Sequence, residues 1–197
     1  MNNKINKYIE VLCLFNEKAD EIKNSSYTKY FLENKPKVSI SKKQGEAIKI
    51  KTIEPNDESL KSFLLTLRLF LQNNDQISFQ NINKIYEKLP ANFQKEKESF
   101  SLSREKINQT LDSNINFKYN NKILTYNEVL DIFIYGDLAH INIDKRNIYK
   151  DWKSKKETGL FNIYKTSFHS IALNLIRCIL YMQQINAEVI KKIGEGK

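Results

Sequence analysis

Apolar residues recur at helical spacing over most of the chain. Between residues 4 and 23, Ile5, Ile9, Leu12, Cys13, Phe15, Ala19 and Ile22 fall on one side of a helical wheel, with Lys4, Lys7, Glu10, Glu17 and Asp20 largely elsewhere. That spacing predicts an amphipathic helix with one buried face. Pro36 closes this region and the period changes to two. Val38, Ile40, Ile48 and Ile50 are apolar, while Lys37, Ser39, Ser41, Lys49 and Lys51 alternate with them. Pairing Ile40 with Ile48 puts Gly45 where a short hairpin loop needs a left-handed residue, so a basic β-hairpin is expected at about 37–52.

After Pro55, the run Leu60, Phe63, Leu64, Leu67, Phe70 and Leu71 predicts a second strong helix. Leu65 and Leu69 add apolar surface on another of its sides, so the pattern places it at the centre of the core. Asn73-Asn74-Asp75 breaks it, and Ser78 starts a shorter helix through Ile82, Ile85 and Tyr86 that Pro90 stops. Residues 92–111 read as a surface helix whose thin apolar seam is Phe93, Phe100, Ile107 and Leu111. Residues 115–124 return to strand-like content around Asn120-Asn121, which suits a tight turn and predicts a second small hairpin.

Thr125 and Glu128 have the spacing of a capping box, in which hydroxyl and carboxylate each satisfy a free amide at a helix start. The helix that follows carries Val129, Leu130, Ile132, Phe133, Leu138 and Ala139, and Asp144 is placed to cap another bearing Ile148, Tyr149 and Trp152. A long final helix is expected from Leu160 to about Ile190, with Phe161, Tyr164, Phe168, Ile171, Leu175, Ile176, Ile179 and Leu180 inward. No repeat and no long polar linker interrupts the pattern. The expected fold is therefore mainly α, a multi-helix bundle forming a single domain over residues 1–197, with one or two small β-hairpins.

Composition narrows the reading. With 41% apolar residues, eleven Phe and ten Tyr against five Gly and three Pro, the 197-residue chain has ample core material and is neither disordered nor linker-rich. The net charge of +9 comes from 32 Lys and Arg against 23 Asp and Glu, but only Arg68, Arg104, Arg146 and Arg177 are arginines. A Lys, Asn and Ile bias of this kind also follows from A+T-rich codons. Recognition of bases or phosphates by bidentate contacts favours Arg. The charge still permits sequence-independent attraction to phosphate polymers or an acidic protein.

Cys13 and Cys178 stand alone in apolar helical stretches, with no CxxC or Cys/His pair, so neither a structural metal nor a cofactor is expected. The first apolar run is broken by Glu10 and reads as an amphipathic helix rather than a signal peptide. The most apolar stretch, 171–182, holds Asn174 and Arg177 and is too short for a membrane span. A cytoplasmic protein without a membrane partner is expected.

No phosphate-binding or hydrolase signature occurs, and the chain has only His140 and His169. The densest candidate chemistry is Tyr135–Arg146, where Asp137, His140, Asn142, Asp144 and Arg146 are close in sequence. On a helix Asp137 and His140 share a face, so the carboxylate could orient the imidazole. In an enzyme His140 would be the base or phosphate contact and Arg146 its electrostatic partner. In the structural alternative His140 and Asn142 bond helix-end carbonyls while Asp144 caps the next helix. His169, amid Phe168 and Ile171, reads as a core or boundary residue.

A helix ending in Leu138-Ala139-His140, a polar turn and a short basic helix resembles the C-terminal half of HEPN-type helical proteins, common in bacterial conflict and phage-defence systems. Members that cut RNA carry Arg, about four to six residues, then His on one helix. Here the nearest arginine before His140 is Arg104, and Arg146 follows His140 in reversed order. The resemblance thus implies the fold and setting and argues against the family's ribonuclease site.

Two binding features complete the sequence reading. From Lys35 to Lys51 six lysines face one glutamate, Glu46, a local balance of +5, with Lys37, Lys49 and Lys51 on the polar face. This ridge suits a phosphate backbone or acidic partner, and equally serves as an edge-strand guard against unwanted pairing. Trp152, beside Lys153, Lys155 and Lys156, is either an anchor for a partner or an aromatic pin onto the bundle. The leading expectation is a non-catalytic module binding another macromolecule, a protein partner or a second copy, as an accessory or inhibitor in a bacterial or phage conflict system. Lys37, Lys49, Lys51, Asn142, Arg146 and Trp152 are its candidate contacts. The alternatives are a divergent HEPN-like ribonuclease using His140 and Arg146, or non-specific nucleic-acid binding by the 35–51 ridge.

Overall fold

Helices carry nearly all of the regular structure in the computed structural model, which describes residues 2–33, 58–112, 117–119, 122–126, 128, 130–131, 147, 150 and 159–196. They are α1 (Asn2–Asn24), α2 (Ser26–Glu33), α3 (Glu58–Leu71), α4 (Phe79–Lys88), α5 (Gln94–Asp112) and α6 (Gly159–Gly194), with a short 3-10 turn at Ala91–Phe93. The fold is mainly α. Strands β1 (Phe117–Tyr119) and β2 (Lys122–Leu124) pair antiparallel, with Phe117 opposite Leu124 and Tyr119 opposite Lys122. The basic hairpin expected at 37–52 lies outside the described residues. No described helix is long and apolar enough to cross a membrane.

Local signals set several boundaries. Ser78 caps α4, its hydroxyl accepting from the Asn81 amide at 3.2 Å. Before it, the Asp75 carboxylate accepts from the Ile77 amide at 3.0 Å, and the Asn81 side chain donates to the Asp75 carbonyl at 2.6 Å, so the turn after α3 is tied to the start of α4. The capping box also forms. The Thr125 amide donates to the Glu128 carboxylate at 2.8 Å and the Glu128 amide to the Thr125 hydroxyl at 3.2 Å. Tyr126, Glu128, Leu130 and Asp131 are helical after it.

The chain divides into two compact units. One comprises residues 1–25, 65–114 and 174–197, and the other 26–64 and 115–173. In the first, Leu12, Phe15, Ala19 and Ile22 of α1 are buried, as are Ile82, Ile85 and Tyr86 of α4, Phe100 and Ile107 of α5, and Ile176, Ile179, Met182, Ile185 and Val189 of α6. Phe70 bridges Phe15, edge-on at 4.9 Å, and Phe79, stacked at 5.8 Å. In the second unit, Phe63 of α3 stacks on Phe31 of α2 at 5.9 Å, and Leu124, Tyr126, Leu130, Ile171 and Ala172 are buried. Burial pushes the Tyr126 hydroxyl well above the ordinary phenol value.

The apolar surface of α3 is unevenly covered: Phe63, Leu64, Leu67 and Phe70 are buried, while on the other side Leu65 is 40% exposed and Leu69 half-buried. Spacing alone recorded that all six are apolar, not which sides find neighbours. Truncating Phe100 to Ala is therefore expected to cost about 3–5 kcal/mol of stability. Leu65→Ala should stay within about 0.5 kcal/mol. Denaturant unfolding of the two variants measures the contrast.

Candidate functional site

The residues singled out from sequence for chemistry or binding do not enter the described structure. Asp137, His140, Asn142 and Arg146 lie outside the described residues, as do Lys37, Lys49, Lys51 and Trp152. His169 falls within α6, and its side chain is likewise outside the description. Polar chemistry among the described residues gathers instead where α1, α4, α5 and α6 meet in the first unit.

At the centre is Asn186, fully buried on the inner face of α6. Its carbonyl oxygen accepts from the Tyr86 hydroxyl at 2.6 Å, and its amide nitrogen donates to the Asn16 side-chain oxygen at 3.2 Å. Gln183, one turn earlier, donates to the Asn16 backbone carbonyl at 3.1 Å and to the Asp20 carboxylate at 2.7 Å. Tyr86 is also stacked on Phe100 at 4.1 Å. Burial, aided by the negative charges of Glu96 and Glu188, drives its hydroxyl far above the ordinary phenol range, so it acts as a fixed donor.

A second centre joins the start of α5 to the end of α6. Glu96, in the first turn of α5, has a side chain only 3% exposed. One carboxylate oxygen accepts from the Lys192 ammonium at 2.5 Å, and the other is buried without a hydrogen-bond partner. Lys192 also lies over the Phe93 ring, 5.9 Å from its centroid, a cation–π contact. Burial alone would raise the Glu96 carboxyl. The Lys192 hydrogen bond, the bond from its own backbone amide and the charges of Lys192 and Lys95 outweigh that and hold it below its ordinary value. The positive end of the α5 dipole works in the same direction.

Above this pair is an open cleft of about 300 Å³ lined by Lys95, Glu96, Glu188, Lys191, Lys192 and Glu195. Three carboxylates and three ammonium groups balance there. Glu195 faces Lys191 at 3.9 Å. An added cation would compete with lysines already in place, and no group of three or more His, Cys, Asp or Glu among the described residues is arranged to hold a metal ion.

Further along the same α5–α6 seam the surface changes character. Lys106 sits near Cys178, whose half-buried thiol is raised by burial and partly offset by that lysine's charge. Leu102, one turn before Lys106, is 60% exposed, and Tyr181, one turn after Cys178, is 48% exposed. Arg177, one turn before Tyr181, is exposed as well.

Sequence reasoning missed Glu96, Lys192, Asn16 and Asn186, although one signal was available. Positions 96 and 103 fall in the same seam as Phe93, Phe100 and Ile107, and they hold Glu and Ser. Likewise Asn186 follows Met182 by one turn and precedes Val189 by one turn on a buried face. A polar residue in an apolar register marks an interior contact.

Two measurements test this arrangement. Tyr86→Phe leaves the Asn186 oxygen buried and without its donor, so a loss of about 1–3 kcal/mol is expected in denaturant unfolding. For Glu96 the folded carboxyl titrates below its unfolded value of 4.5, so its contribution is present above that pH and is lost as pH falls below it. Glu96→Gln should lower stability at neutral pH and flatten the acid limb of the stability profile, read as melting temperature against pH.

Set beside known proteins, the chain matches no family model, no curated protein and no solved structure.

Proposed function

We propose that the chain is a non-catalytic helical module that binds another macromolecule, foremost a protein partner, in the cytoplasm. The observation that carries this reading is the division of labour in the first unit. Its interior polar groups, Tyr86, Asn186, Asn16 and Glu96, are engaged in joining helices. Its outer face meanwhile presents Leu102 and Tyr181 beside the cations Lys106 and Arg177. A rigid scaffold with apolar anchors at its surface suits recognition.

The resemblance to HEPN-type proteins in the C-terminal half supports an accessory or inhibitory role in a bacterial or phage conflict system. The lysine ridge at 35–51, with Lys37, Lys49 and Lys51, adds a charge-based contact to the same reading. The test is mass measurement by size exclusion with light scattering, together with affinity capture from native lysate. A stoichiometric complex or self-association is expected. Free monomer alone, together with robust turnover of a substrate, would reject the proposal.

A further inference from the structure

The outward stripe of α6 carries a series of side chains that reads as its own complement when reversed. Arg177, Tyr181, Gln184, Glu188, Lys191 and Glu195 follow one another at alternating steps of four and three residues, so they fall on one narrow side of the helix. All six are exposed, and Ile179, Met182, Ile185, Asn186 and Val189 are buried round the other side. Glu195 stands just past the last residue of α6, but its amide still donates to the Lys191 carbonyl at 3.0 Å, which keeps it in line with the helix.

The stripe is electrically neutral, with Arg177 and Lys191 against Glu188 and Glu195. Among the described residues neither Arg177 nor Glu188 forms an ion pair, and Lys191 reaches Glu195 only at 3.9 Å. At its C-terminal end the stripe borders the open cleft of about 300 Å³, where Glu188, Lys191 and Glu195 are lining residues. Of the other charges there, Lys192 and Glu96 neutralise each other and Lys95 adds one cation on the α5 side.

We propose that this stripe is a self-association surface, on which a second copy of the chain docks its own α6 stripe antiparallel about a two-fold axis. The inference rests on the binding-module reading and names the macromolecule bound. With the middles of the two stripes aligned, Arg177 lies opposite Glu195 of the second copy, Tyr181 opposite Lys191 of the second copy, and Gln184 opposite Glu188 of the second copy. The symmetry repeats each pair. The contacts span about 27 Å of helix at 1.5 Å per residue. Arg177 takes the Glu195 carboxylate, which releases Lys191 from its long contact to the face of the incoming Tyr181 ring. That ring, exposed in the single chain, arrives at the rim of the cleft. Gln184 donates to Glu188, so every layer of the reversed pairing sets complementary groups together.

A parallel copy would instead place Arg177 on Arg177 and Glu188 on Glu188, a like-charge arrangement. Nucleic acid asks for net positive charge along its track, and the stripe is neutral. With one aromatic from each copy and mostly exposed charge pairs, the dimer is of the weak, salt-sensitive class.

Sedimentation equilibrium of the full chain, over about 10 to 500 µM in low salt, reads the association. The average mass should rise toward that of a dimer with concentration, and the rise should shrink in about 0.5 M salt. Arg177→Glu alone and Glu195→Arg alone should each weaken association by about tenfold or more, because each sets like charges opposite one another in both symmetry-related pairs. An equimolar mixture of these two variants should recover it, since the exchanged charges then meet across the interface. Tyr181→Ala should weaken association, Lys7→Glu on α1 should leave it unchanged, and all variants should keep the wild-type melting temperature. A wild type that stays monomeric over the whole range, single variants that associate as the wild type does, or a mixture that fails to recover would each overturn the proposal. Affinity capture from native lysate separates the two levels. A monomer that retains a different protein removes this surface while sparing the module, and no complex of either kind removes the module itself.

Discussion

The hydrogen bond from Tyr86 to Asn186 is the constraint around which the first unit is arranged. An asparagine with no exposure must have its carbonyl and amide both satisfied, since an orphaned polar group in that setting costs more than a made bond contributes. Tyr86 from α4 and Asn16 from α1 meet those needs, so the rotation of α6 about its axis and its position along α1 and α4 are fixed together. Apolar packing would tolerate small slips of one helix past another. A paired amide does not, and that is why polar residues in an otherwise apolar stripe specify register.

The second polar centre works on a different balance. Glu96 is sequestered while Lys192 keeps 38% exposure at its side chain, so the pair is neither a fully buried bridge nor a solvated one. The carboxylate carries the desolvation cost, and the lysine, resting on the Phe93 ring, retains part of its hydration. Its location at the beginning of one helix and the end of another places each charge where the backbone dipoles favour it. The cleft above is lined by this same pair together with Lys95, Glu188, Lys191 and Glu195.

How much could be read in advance depended on the kind of signal. Helix positions were legible, because Leu12, Phe15, Ala19 and Ile22 repeat at a period that only a helix places on one side, and all four are buried. Caps were legible too: Ser78 and the Thr125–Glu128 pair act through neighbours three residues away, so no tertiary knowledge is needed. The polar joints were not, because Tyr86 and Asn186 are 100 residues apart and Glu96 and Lys192 are 96 apart. Local spacing carries no information on such pairs. The exposure of Leu65 escaped for a similar reason, since hydrophobicity states what a side chain prefers and not whether a neighbour arrives to cover it.

The Tyr86 phenol also sets a limit on the alkaline side. An unfolded tyrosine releases its proton near 10.0, whereas the folded one is held protonated by burial and by the nearby carboxylates. Its contribution is complete below that pH and drains away as the solution becomes more basic, because only the unfolded chain gains by ionising. One interior therefore demands a carboxylate that stays charged and a hydroxyl that stays neutral. The span of acidity over which the four helices remain joined is bounded at one end by Glu96 and at the other by Tyr86, on whose hydroxyl the charge of Glu96 itself acts.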